Sequence, residues 1–132
     1  MSKKQWKEPL FEIDSQPLFL AVHVAANNQK SIRKNKVRIT AVRQTVYPDL
    51  MARYENPITH TCDVKEGQQW ISVDGKCPAG MCPSAWSSMR EFVESLANGE
   101  GNFYDGWMKN PMSAMISCND GFRPFSFYIE VI

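Results

Sequence analysis

A chain of 132 residues with 43% apolar and 22% charged side chains suits one compact globular domain with a real core. Its 15 basic residues nearly balance its 14 acidic ones, for a net charge of +1. That balance gives no electrostatic case for nucleic acid or for an anionic membrane surface as partner.

The leading segment, "MSKKQWKEPLFEIDSQPLFLAVHVAANNQ", sets an apolar run from Leu18 to Ala26 behind several lysines. Glu8, Glu12 and Asp14 intervene and His23 interrupts the run, so it makes a poor secretory signal. A membrane span needs about 20 apolar residues, more than this block supplies. The expected location is the cytoplasm, where four cysteines are more readily free thiols or ligands than disulfides. Residues 1–35 read as an arm with polar, basic ends, and 36–132 as the compact domain. An apolar block outside the main body should pack on that domain or on a partner subunit.

From Lys36 the patterns sharpen. "KVRITAVRQTV" alternates Val37, Ile39 and Ala41 with Arg38 and Thr40, the signature of a half-buried strand. In "YPDLMARYENP", Pro48 and Asp49 suit a first helical turn and Pro57 bars continuation, giving a short helix over about 48–55. A loop carrying His60 and Cys62 leads to a strand in "GQQWISVDG", which ends in an Asp-Gly turn. "KCPAGMCP" is loop. Over about 84–97, Trp86, Met89, Val93 and Leu96 recur at steps of three and four, with Phe92 beside them and Arg90, Glu91 and Glu94 outward. This is the main amphipathic helix, and Asn98-Gly99 should end it. An aromatic loop, "GEGNFYDGWMKNP", precedes two strands, "SAMISC" and "FRPFSFYIEVI", joined through Asn119-Asp120-Gly121 as a C-terminal β-hairpin. The expected fold is a small α+β domain: an antiparallel or mixed sheet with the main helix across one face.

Four stretches in order, "KVRITAV", "CDVKEGQQW", "PAGMCPSAW" and "ISCNDGFRPFSFYIE", together with the approach "YDGWMKNP", carry a resemblance. Over residues 36–132 the chain resembles a family of small uncharacterised bacterial and archaeal proteins with KEGQ, PxGxCxxAW and SCNDGxRPV motifs. The resemblance implies a single compact domain and draws attention to Cys62, Cys82, Cys118, Asp120 and Arg123. It also marks residues 1–35 and Cys77 as additions to the family pattern. It implies no reaction.

Read physically, Cys118 is a nucleophile only as thiolate, and Arg123 across the turn could favour that form or hold a carboxylate or phosphate bidentately. The plainer reading makes Cys118 a small buried hydrophobe and Arg123 a staple of the turn through Asp120. Cys82 sits at the mouth of the main helix beside Pro83, where the positive end of the helix stabilises a thiolate or a bound anion. It is the best single candidate for a reactive thiol. Cys77 and Cys82 form a C-x4-C pair which, with Cys62, His60 and Cys118, could close a zinc site or, under oxidising conditions, a Cys77–Cys82 disulfide. Without that zinc, no cofactor is expected. Trp86, Tyr104 and Trp107 could line a small-molecule pocket with Arg123, or simply belong to the core. No Ser-His-Asp set and no Gly-rich phosphate motif is present.

Two functions follow. One is a non-enzymatic accessory or interaction protein, or an oligomer subunit, that meets its partner through the N-terminal arm or through the last strand acting as a sheet edge. The other is a thiol-based protein in which Cys82 and Cys118, with Asp120 and Arg123, bind or transform a small anion.

Overall fold

The computed structural model describes residues 34–58 and 62–132. Residues 1–33, which hold most of the expected arm, and His60 lie outside the described residues. Four strands and two helices follow in the order β1 (Val37–Gln44), α1 (Pro48–Tyr54), β2 (Gln69–Ser72), α2 (Pro83–Ala97), β3 (Ser113–Ser117) and β4 (Phe125–Val131). The strands form one antiparallel sheet in the order β2-β1-β4-β3. The fold is the small α+β domain that the periodicities predict.

Alternation decides which face is buried. Val37, Ile39 and Ala41 of β1, Trp70 of β2, Ala114 of β3, and Phe125, Phe127 and Ile129 of β4 all point inward. Across that face lies α2, which contributes Ala85, Met89, Val93 and Leu96, and Met81 and Phe103 close the ends of the core. Trp70 packs on Phe127 with ring centroids 6.1 Å apart, and Phe103 meets Phe92 edge-on at 5.0 Å.

The end of α2 follows from its sequence. Gly99 takes φ +86°, and the N–H groups of Gly99 and Glu100 bond to the carbonyls of Leu96 and Ser95, a Schellman cap. Asn35 adds a long-range cap: its backbone N–H reaches the Ala97 carbonyl at 2.8 Å, and its side-chain amide reaches the Leu96 carbonyl at 3.0 Å. This fixes the C-terminus of α2 beside the start of β1. The helix therefore runs back toward the end of the sheet where β1 finishes and β4 begins.

One expectation needs correction. The last strand is not a sheet edge, because β4 is hydrogen-bonded on one side to β1 and on the other to β3. The edges fall instead to the four-residue β2 and the five-residue β3. The expected hairpin joins β3 to β4. Gly121 keeps a negative-φ backbone, and an Asx turn made by Asp120 does the work.

Candidate functional site

The site end of the sheet is built from four segments. Gln68 accepts a hydrogen bond from the Ala41 N–H at 2.9 Å, and the Ala41 carbonyl accepts from Gly67 at 2.7 Å, which anchors the Cys62–Gln68 loop to β1. Here β1 bulges: Ala41 opposes Phe127 and Arg43 opposes Ser126, leaving Val42 as the extra residue. The Gln44 N–H, just past the bulge, bonds to Glu66 Oε2 at 3.0 Å. Alongside, the Gly80–Pro83 loop delivers Cys82 to the N-cap of α2, with Pro83 at the first helical position.

Between these segments opens a cleft of about 260 Å³ lined by Cys62, Asp63, Val64, Gln68, Gly80, Cys82 and Pro83. Of these, Val64 and Cys82 pack against the core, while Cys62 is exposed. The thiol of Cys82 makes no capping hydrogen bond, and its backbone carbonyl accepts the first helical bond from Trp86 at 2.9 Å. The structure thus brings Cys82 together with Cys62. Cys118 and Arg123 are not among the residues lining this cleft.

Cys118 and Arg123 belong to the turn before β4. The Cys118 sulfur accepts the Phe125 N–H at 3.3 Å, and the Cys118 N–H bonds to the Phe125 carbonyl at 3.0 Å. Arg123 is only 9% exposed. Its guanidinium donates to Asp120 Oδ2 at 2.8 Å and to Glu55 Oε1. Asp120 Oδ1 accepts in turn from the N–H groups of Phe122 and Arg123. Burial opposes ionisation of Asp120, but those two backbone donors and the guanidinium outweigh it and hold the carboxyl below its ordinary range. For Arg123, burial works against the charge, while the bonds and charges of Glu55 and Asp120 prevail and raise its pKa. Two carboxylates therefore compensate one guanidinium, so the arginine serves the turn as a staple and not as an open anion receptor. Glu55 is the member that sequence reading missed. It lies 68 residues away in the chain, and a single glutamate after a short helix carries no signal of such a partner.

The remaining candidates are dispersed. Cys77 is exposed, and its thiol donates only to the neighbouring Pro78 carbonyl at 3.6 Å. The described residues contain no group of three or more His, Cys, Asp or Glu placed to hold a metal ion. The set Cys62, Cys77, Cys82 and Cys118 is therefore not assembled as a zinc site: Cys77 and Cys118 do not line the cleft of Cys62 and Cys82, and the Cys118 sulfur accepts the Phe125 N–H. Tyr104 and Trp107 stack edge-on at 5.2 Å in the loop before β3, with Trp107 exposed, while Trp86 packs half-buried on the core. These aromatics do not converge with Arg123 on the cleft.

Exposed apolar side chains concentrate elsewhere. Val46, Tyr47, Leu50, Tyr54 and Ile58 are all exposed, and α1 buries none of its residues. Leu50 and Tyr54 lie one turn apart on one face of α1, and Tyr47 precedes them at its N-cap. The segment is nonetheless held in place. Thr45 and Tyr47 donate to the carbonyls of Pro124 and Phe122 at 3.0 and 2.9 Å, and Glu55 closes the other end of α1 on Arg123.

No family model, curated protein or solved structure matches this chain. Among the described residues no helix is long and apolar enough to cross a membrane.

Proposed function

We propose that this protein is a non-enzymatic interaction protein, a homo-oligomer subunit whose α1 helices pair about a two-fold axis. The observation that carries this reading is the apolar stripe of Tyr47, Leu50 and Tyr54, with Tyr54 68% exposed, on a helix that is pinned at both ends yet buries nothing. A short helix with no buried face has little reason to persist in isolation, and apolar ridges of this kind are covered by a partner. Pre-anchoring by the backbone bonds at Thr45 and Tyr47 and by the Glu55–Arg123 pair reduces the ordering cost of association.

Charge favours a second copy as that partner. Asp49 and Arg53 lie one helical turn apart on the flank of Leu50. When two α1 helices meet antiparallel, like flanks face each other. Asp49 then stands opposite the partner subunit's Arg53, and Arg53 opposite the partner subunit's Asp49. A net charge of +1 puts no electrostatic barrier against self-association.

Sedimentation velocity on the full chain tests the reading. The wild type should sediment as a dimer at micromolar concentration, and Leu50→Asp should sediment as a monomer with unchanged circular dichroism. A wild type that stays monomeric, or a Leu50→Asp variant that still dimerises, overturns it.

A further inference from the structure

We propose that Cys62 and Cys82 form a redox-active dithiol that reacts with small-molecule disulfides. Three observations converge on the cleft. Cys62 and Cys82 both line the same open cleft of about 260 Å³, Cys62 exposed and Cys82 half-buried. The loop that carries Cys62 into the cleft is fastened to β1 by the Gln68–Ala41, Gly67–Ala41 and Glu66–Gln44 bonds. Cys82 stands at the N-cap of the 15-residue α2 without donating its thiol to a cap, and this end of a helix attracts anionic reagents. The other two thiols lack this setting: Cys77 stands exposed outside the cleft, and the Cys118 sulfur is engaged by the Phe125 N–H.

The chemistry divides the work by exposure. The Cys62 thiolate attacks one sulfur of a disulfide RSSR. The S–S bond breaks, a mixed disulfide forms on Cys62, and the first RS⁻ leaves and takes up a proton. The Cys82 thiolate then attacks the Cys62 sulfur, forms the intramolecular disulfide and expels the second RS⁻. The two protein thiols are oxidised, RSSR is reduced to two RSH, and the two protons lost by the cysteines end on the released thiols.

Oxidised glutathione is the probe, with maleimide blocking, intact mass and peptide mapping as readout. The wild type should lose two hydrogens per chain in a Cys62–Cys82 peptide pair. Cys82→Ser should stall with glutathione on Cys62, and serine is itself a favoured N-cap, so this variant should keep its fold. Cys62→Ser should react at least tenfold more slowly at Cys82 than the wild type reacts at Cys62. Equal labelling of Cys62, Cys77 and Cys118 without an intramolecular bond overturns the proposal. So does a disulfide that involves Cys77, or one that links two chains.

Discussion

The two helices of this protein are opposites. Ala85, Met89, Val93, Leu96 and Ala97 of α2 are all buried, its C-terminus is closed by a Schellman cap and by Asn35, and it forms one of the two layers of the core. Half as long, α1 has no fully buried residue and is held at its ends. One helix builds the core, and the other lies outside it. A surface element held at its ends is free to present side chains outward, which is why the apolar stripe of α1 reads as an interface and the buried apolar set of α2 does not.

A matched pair of leucines should show this contrast most strongly. Leu96 is fully buried and Leu50 is 37% exposed. Leu96→Ala should cost about 2–5 kcal/mol in chemical denaturation, through lost transfer energy and an unfilled cavity. Leu50→Ala should stay within about 0.5 kcal/mol when the protein is measured as a monomer. Equal effects would erase the distinction between the helices.

The exit of α2 gives the next largest effect. A Cβ on Gly101 would meet the Pro111 carbonyl oxygen and the Met112 sulfur at 2.6 Å, and the first of these is backbone that cannot swing aside. Gly101→Ala should therefore destabilise by about 1–3 kcal/mol. A wild-type melting midpoint in this variant would mean that the path from α2 to β3 is looser than described.

The turn that secures α1 gives a smaller loss of stability and a pH signature. Because the folded state holds the Asp120 carboxyl below its ordinary range, ionised Asp120 stabilises the fold at neutral pH. That contribution is present above the unfolded carboxylate pKa of about 3.9 and is lost as the pH falls through the lower folded value. Asp120→Asn should cost about 1 kcal/mol at neutral pH. The gap from wild type should close in acid, as followed by denaturation at several pH values. A gap independent of pH would remove the carboxylate's charge from the account.

Much of this was legible in the residues because it is local. The three-four spacing of Trp86, Met89, Val93 and Leu96, the alternation of β1, and the Asn98-Gly99 stop each depend on neighbours within one or two turns. What was illegible depends on long-range pairing. Nothing in "FSFYIEVI" tells a central strand from an edge, since the difference lies in how many neighbours it finds. The same limit hid Glu55 behind Arg123 and placed Cys62, not Cys118, in the cleft with Cys82. The exposed stripe was hidden for another reason: Leu50 and Tyr54 look like core residues of any short helix, and only the packing shows that nothing covers them.

Charge reversal tests the pairing of α1 most directly. Asp49→Arg and Arg53→Asp should each weaken self-association, because each sets like charges opposite one another across the two-fold axis. Mixing the two variants should restore dimers, all of them mixed, as measured by sedimentation with one variant carrying a fluorophore. Mixed dimers in excess of both homodimers would establish antiparallel pairing through α1. Variants that dimerise as well alone as together would contradict it.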